Sequence, residues 1–562
     1  MHVIIFHYHL LPGGVTGVIE HMSRALQLHS AAVDEIEIVT GSRENLERLT
    51  DGPPVTVIPE IGYMSRQRLA EYAPAPPDSE SEHQHESGPV GQISESQVAA
   101  GAQVLSQRIS QELQGRWDAD SVWWVHNYHL GKNPAFTRAL LEIARAHPEQ
   151  RIILHIHDFP ECGRYANVRY LRQSGVEDLY PDLPNLTYVT INSRDRTLLQ
   201  NAGVRNVHYL PNPVPAVANP PRPGQSPDVR KRLADHFDTE FARFRRDDLF
   251  LLYPVRTIRR KNVFEAALIA MGLSQPASLV VTLPGVSQAE KQYSQMVQHA
   301  FQDGTIAGLW GIGTRLDEVG LTFEDIQRTA DAIVSTSVQE GFGYQFIDPL
   351  LQGTPLVARR LPVLQDVEDL YQSWPHAFYE SIRVPNSSPS LSGPQALLRF
   401  RYTERIDRLA PHIPEEIVHQ LHQEVARMVE SETIDFSFLL PHMQFTYLKD
   451  MRAHPSYRQE VRALNEDLFR QMESALGRSP QSVEAGAAAV DARFGLSSYA
   501  THVDEILAGS GRPQRDATPG DTPAADAASS TPLPEPVPAQ SSPAERLVAT
   551  FATLGYQRLL YE

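Results

Sequence analysis

Short apolar runs alternate with stretches of helical period along most of this chain, and that alternation restricts its fold more than any other feature. Strand-length runs fall at Val3–Phe6, Glu35–Val39, Val55–Ile58, Ser121–His126, Arg151–His157, Thr187–Asn192 and Val207–Leu210. Helical spacing fills the gaps between them, as in Val18, Met22 and Leu26, or Phe136, Leu140, Leu141 and Ile143. Strands that alternate with helices predict a parallel, doubly wound sheet. A proline-rich stretch over 213–228 interrupts the pattern and reads as a linker. Strand signals then resume at Leu249–Tyr253, Leu279–Leu283, Ile306–Trp310, Ala332–Ser335 and Leu356–Arg359. With 562 residues the chain exceeds one hydrophobic core. The expected fold class is therefore α/β, with two Rossmann-like domains over 1–212 and 229–508 facing a cleft. Ligands in such sheets lie beyond the carboxyl ends of the strands.

Four segments depart from that rhythm. Residues 74–97 are rich in Pro, Ser, Glu and His and read as a mobile surface insertion. Residues 362–462 read as a helical insertion, because Ile417, Val418, Leu421, Val425, Met428 and Val429 form a stripe at helical spacing. Core packing is the expected role of that stripe, with a homo-oligomer contact as the alternative. Residues 509–541 carry the composition of a disordered tether. Ser542 to Glu545 then has a capping-box pattern with Pro543 at the first helical position, which predicts a docking helix over 542–562.

Composition excludes several classes. Fifty basic against 68 acidic side chains leave a formal charge of −18, which disfavours nucleic acid and anionic membranes as partners. No apolar run is long enough to span a bilayer, and the first residues read as a buried strand and not a secretion signal. The single cysteine, Cys162, permits neither an intramolecular disulfide nor a cysteine-based zinc cluster and suits the cytoplasm.

The chemistry-bearing residues cluster at predicted strand ends. After Ser335 comes a loop with Glu340, Gly341, Phe342 and Gly343, a helix start near Tyr344, and Asp348 about a turn inside it. Amides at a helix start can bind phosphate, and two carboxylates eight positions apart can take ribose and sugar hydroxyls. Arg256 and Lys261 follow the Leu249–Tyr253 strand, where cations could neutralise a leaving diphosphate. Gly13 and Gly14 follow the first strand and open a helix, but no Gly-x-Gly-x-x-Gly dinucleotide fingerprint is present. His155, His157 and Asp158 end the Arg151–His157 strand, and His126 and Lys132 close the one before it.

The Glu340–Asp348 segment, followed by Gly353-Thr354-Pro355, resembles the donor signature of the retaining GT-B glycosyltransferases of family 4. That signature has a second Glu where this chain has Asp348. The resemblance covers residues 1–360 in outline and implies a hexosyltransferase acting on a nucleotide-sugar and a hydroxyl acceptor, a soluble small molecule or saccharide. It implies donor contacts from Gly13, Gly14, Arg256, Lys261, Glu340, Gly341, Phe342, Gly343, Tyr344 and Asp348. Catalytic roles would fall to His157, Arg256, Lys261 and Glu340, acceptor contacts to His126, Lys132 and Asp158, and no metal or other cofactor is expected. Two alternatives remain: a metal-dependent hydrolase built on His155, His157 and Asp158, and a non-catalytic sugar-nucleotide-binding scaffold.

Overall fold

The computed structural model describes residues 1–46, 52–74, 93–118, 120–216, 228–241, 243–478, 482–509 and 541–558. Most of the expected 74–97 insertion, of the 213–228 linker and of the 509–541 tether lies outside the described residues. Two compact units divide the chain: Met1–Pro215 with Arg493–Phe551, and Ala216–Ala492 with Ala552–Glu562.

The first unit is built on seven strands: β1 (His2–His7), β2 (Glu35–Thr40), β3 (Val55–Val57), β4 (Val122–His126), β5 (Arg151–Ile156), β6 (Leu186–Thr190) and β7 (Val207–Tyr209). They pair in parallel in the order β3-β2-β1-β4-β5-β6-β7. Central strands such as β4 and β6 are buried along their whole length, as a sheet covered on both faces requires. All seven match the apolar runs of the sequence. The order reverses between β1 and β4, so the loops that leave these strands diverge there.

The second sheet has β8 (Leu249–Arg256), β9 (Ala277–Leu283), β10 (Gly308–Trp310), β11 (Ala332–Ser335), β12 (Leu356–Arg359) and β13 (His376–Tyr379). They run parallel in the order β10-β9-β8-β11-β12-β13 and reverse between β8 and β11. The expected fold class, two Rossmann-like doubly wound units of GT-B type, is the one observed.

Three boundaries differ from expectation. First, Ser94 caps the helix Glu95–Leu113 with a complete capping box, so 94–97 belongs to a helix and not to a loop. Second, the 362–462 segment is not purely helical. It supplies β13 to the sheet and holds the antiparallel pair β14 (Arg383–Pro385) and β15 (Thr433–Asp435). Four-residue and three-residue strands leave too little pattern to read. Within it, Leu421, Val425 and Val429 are buried in the helix Glu415–Glu430, as core packing predicts. Third, the helix Leu496–Gly509 belongs to the first unit and not to the second. Its Tyr499, Ala500, Val503, Ile506 and Leu507 share one cluster with Val3, Ile5, Ile19, Met22 and Trp124. The tail helix Pro543–Phe551 has the expected capping bonds between Ser542 and Glu545 and packs on the helix Ser193–Asn201. Its Phe551 ring lies 5.5 Å from Phe159.

One buried charge network fixes the second unit. Arg359, at the end of β12 and 1% exposed, donates to Glu265 (2.8 Å) and Asp435 (2.9 Å). Tyr379 adds its hydroxyl to Glu265 at 2.7 Å. Burial pushes the Asp435 carboxyl up, but Arg359 outweighs it and holds the group below its ordinary value. Removing the shared cation strands two carboxylates out of water. Arg359→Met is therefore expected to cost about 3–5 kcal/mol of unfolding free energy, measured by urea denaturation.

Candidate functional site

In the second unit, the loops after β8 and β11 meet where the strand order reverses. Tyr253 on β8 donates its hydroxyl to Lys261 O (2.6 Å) and lies 3.0 Å from Ser337 Oγ. Thr336 Oγ1 donates to the carbonyls of Lys261 and Asn262, and the Val338 amide donates to Arg260 O (2.9 Å). Asn262 takes a left-handed φ of 50°, which asparagine tolerates, and so turns the chain from the basic segment into the helix Val263–Gly272. Two loops far apart in sequence are thereby held as one surface.

That surface carries the predicted charges. Lys261 Nζ pairs with Glu340 Oε1, and Arg260 Nη1 reaches Glu340 Oε2 at 3.3 Å and Gln339 O at 3.0 Å. Burial alone would raise Glu340, but Lys261 and then Arg260 hold the carboxyl below its usual range. Burial lowers the Lys261 ammonium, while Glu340 opposes the shift. Arg256, by contrast, is exposed at the end of β8, and its guanidinium makes no hydrogen bond or ion pair among the described residues. Arg259 points elsewhere, bonded to the carbonyls of Ser437 and Leu439. Sequence reasoning selected Arg256 and Lys261 and missed Arg260, whose place beside Glu340 only the folded loop reveals.

Gly341 and Phe342 follow on the same loop, and Phe342 packs edge-to-face on Tyr344 at 4.8 Å. Gly343 requires its glycine: φ is 83°, and a Cβ would meet the Phe346 ring at 2.5 Å. The expected helix start at Tyr344 is instead a 3-10 turn over Tyr344–Phe346, and the α-helix covers only Asp348–Gln352. Asp348 thus stands in the first helical turn and not one turn inside. Its carboxyl has no hydrogen-bond or ion-pair partner among the described residues, and burial pushes it up to about 7.

In the first unit, His126 on β4 pairs in register with His155 on β5, and His157 follows on the same face. The His155 and His157 rings lie tilted by 33° with centroids 4.3 Å apart, and His126 Nδ1 lies 2.9 Å from His157 Nε2. Burial lowers all three, His157 to about 3, so they are neutral imidazoles. The candidate ligand atoms of the trio lie within 4.8 Å of one another. The protons fit a metal poorly, however. Trp124 Nε1 donates to His155 Nδ1 at 3.1 Å, which puts the proton of neutral His155 on Nε2 and removes the lone pair there. Asp158 is also committed, to Arg164 and to the Phe159 amide (2.9 Å). Among the described residues Asp158 thus stands outside the group that His155 and His157 form with His126.

Gly13 and Gly14 do reach a cavity at the reversal of the first sheet. It is lined by His7, His9, Tyr63, Asn127 and Lys132, among others. Of the predicted acceptor residues, Lys132 lines this cavity, whereas His126 is fully buried beneath it and Asp158 lies outside its wall. Tyr63, which the sequence reading passed over, receives Lys132 at 5.3 Å over its ring and lies 3.0 Å from His9 Nε2. An isolated Tyr in a loop carries no motif that could have marked it.

Two Rossmann-like units in tandem, each with polar loops at its reversal point, are the GT-B fold of glycosyltransferases. The chain is 28% identical over 519 residues to mannosylglucosyl-3-phosphoglycerate synthase of Petrotoga mobilis, and the match covers 90% of each chain. Fold and full-length similarity together make it a GT-B glycosyltransferase. Among solved structures it is similar to HepE of Anabaena in complex with UDP and glucose, at 12% identity and a TM-score of 0.47, covering 90% of this chain and 99% of that one. It is also similar to sucrose-phosphate synthase of Thermosynechococcus elongatus, at 12% identity and a TM-score of 0.44, covering 84% and 97%. No family model matches the sequence.

The Asp348 carboxyl supplies a pH test. Its folded value of about 7 lies above that of an unfolded aspartate, so the folded chain keeps the proton longer. The associated stability is present below the unfolded value and is lost as pH rises through 7. A diol that donates to this carboxylate favours the ionised form. Nucleoside diphosphate affinity is expected to rise between pH 6 and 8 in the wild type. Asp348→Asn should flatten that rise in calorimetric titrations, and parallel curves would remove the residue from the site.

Proposed function

We propose that this protein is a retaining hexosyltransferase that moves a sugar from a nucleotide-sugar to a hydroxyl acceptor. The observation that carries the reading is the convergence of Arg260, Lys261 and Glu340 on one surface at the reversal of the second sheet, with Arg256 free beside it. As the glycosidic bond breaks, the leaving diphosphate gains negative charge. Arg256 and Lys261 would neutralise it in place of a divalent metal, with no water reorganisation at the moment of reaction. Glu340, kept ionised by its neighbours, would accept hydrogen bonds from the donor sugar, and Asp348 from the ribose. Gly341, Phe342, Gly343 and Tyr344 would shape the wall against which the donor lies.

Retention follows from a front-face course. The acceptor oxygen attacks from the side on which the diphosphate leaves, its proton passes to a phosphate oxygen, and no side-chain nucleophile is required. His157, held neutral by burial, suits a hydrogen-bonding role toward the sugar and not that of a general acid. The name of the Petrotoga relative describes a product of mannosyl, glucosyl and 3-phosphoglycerate parts. We take the acceptor here to be of that kind, a small phosphorylated glycoside. No helix among the described residues is long and apolar enough to cross a membrane, in keeping with a cytoplasmic enzyme.

A thermal-stabilisation screen of nucleoside diphosphates and their sugars should identify the donor. With that donor, Arg256→Ala and Lys261→Ala should each lower transfer by about a hundredfold in the presence of a chelator. Near-normal rates would remove these cations from the site, and loss of wild-type activity to the chelator would overturn the metal-free reading. Glu340→Ala should depress turnover more than nucleotide binding. Proton NMR of the product should show the donor's anomeric configuration, and inversion would sink the retaining assignment.

A further inference from the structure

The segment that carries Arg260 and Lys261 is a single 3-10 turn, Arg259–Lys261, between β8 and the helix Val263–Gly272. A turn so short takes its position from what its neighbours hold. Asn262 stands at the N-cap of that helix, where an asparagine ordinarily accepts from an amide two or three residues on. Here it makes no such bond. Its buried side chain is engaged elsewhere: Nδ2 donates to Glu265 Oε2 at 2.8 Å, and Oδ1 accepts from Gln444 Nε2 at 2.9 Å and from Arg259 Nη1 at 3.2 Å. Glycine would serve as well for the left-handed φ alone.

These partners reach well beyond the turn. Glu265, 0% exposed, accepts the bond from Asn262, two from Arg359 at the end of β12 (3.0 and 2.8 Å) and one from Tyr379 at the end of β13 (2.7 Å). Gln444, on the helix Pro441–Ala453, also donates to Phe436 O at 2.9 Å. Asn262 is thus moored to two strand ends and to a separate helix. A buried carboxylate and guanidinium are weak stabilisers, since apolar side chains of the same volume often do as well. What the polar set adds is direction, because hydrogen bonds fix angles that apolar contacts leave loose.

We propose that Asn262 and Glu265 are positioning residues of the donor site: Glu265 fixes the Asn262 side chain, and Asn262 sets the backbone from which Lys261 meets Glu340. The assignment rests on the glycosyltransferase reading for what Lys261 does to a ligand and not for where it stands. Asn262 follows Lys261 directly, and the Lys261 carbonyl already accepts from the hydroxyls of Tyr253 and Thr336. With that carbonyl held by two hydroxyls and the next side chain held by Glu265, the Lys261 main chain has one place to stand. Misplacing such a cation by about 1 Å can cost on the order of a hundredfold in rate.

The test follows the rate at which an amine-reactive anhydride labels Lys261 in the full-length protein, read by peptide mass spectrometry. Asn262→Gly keeps the left-handed turn and removes the side chain, and it should speed labelling about tenfold, as the loss of one or two buried hydrogen bonds allows. Val425→Ala thins the core of the same unit far from Asn262 in sequence; it should lower the melting temperature and leave Lys261 labelling unchanged. Glu265→Gln should give part of the rise, and the double variant no more than Asn262→Gly alone, because Glu265 acts through Asn262. Should Glu265→Gln not fold, Tyr379→Phe takes one bond from Glu265 with the ring kept, and it should speed labelling about threefold. With the donor in hand, Asn262→Gly should lower kcat about tenfold and Val425→Ala should leave it unchanged. Unchanged labelling in Asn262→Gly, an equal rise in Val425→Ala, or additive effects of the two positions would overturn the assignment. Labelling needs no turnover, so a wild type that binds no nucleoside diphosphate would defeat the glycosyltransferase reading while the labelling rates still decide the positioning pair.

Discussion

Everything that matters chemically in this protein follows from one constraint on parallel sheets. Crossover connections between parallel strands are right-handed, so a sheet with helices on both faces must grow outward from its middle in two directions. In the first unit growth turns between β1 and β4, and in the second between β8 and β11. At each turn the two departing loops swing to opposite faces and leave space at the carboxyl edge. The first space holds the glycine loop, Asn127 and Lys132. The second holds Arg260, Lys261 and Glu340.

The two sites manage charge differently. In the second unit the acid and the bases satisfy each other, so a ligand arriving there exchanges existing partners and adds few bonds to empty ones. Arg256 and Asp348 are the exceptions, an exposed cation and a carboxyl without a partner among the described residues. In the first unit the Lys132 ammonium makes no ion pair or hydrogen bond among the described residues and rests over the Tyr63 ring. Three neutral imidazoles beneath them raise the local polarity without adding a charge. A net charge of −18 over the chain makes these small cationic spots stand out from the field around them.

The sequence made the sheets legible because strands such as β1 and β4 are buried on both sides and so are written as largely apolar runs. It also made Glu340, Lys261 and Arg256 legible, since their spacing within two strand-end loops follows a known pattern. What it hid was set by contacts between distant residues. The strand β13 is only four residues long, and Tyr63 and Asn127 acquire their place from neighbours as many as 119 positions away. The helix Leu496–Gly509 carries an ordinary amphipathic pattern, and nothing in that pattern says which sheet it covers. His126 looked like a cleft residue because it ends a strand, yet it is fully buried beneath the cavity.

That last helix has a bearing on how the chain comes to be folded during synthesis. The cluster beneath β1 is finished by Tyr499, Val503 and Leu507, which leave the ribosome roughly five hundred residues after the strand they cover. At about 5–20 residues per second, the first sheet waits on the order of half a minute or more with one apolar face uncovered. The body of the second unit, Ala216–Ala492, is synthesised in between, and both units receive their last residues only from the end of the chain. The amino-terminal sheet is therefore the part of the chain expected to need a chaperone during synthesis.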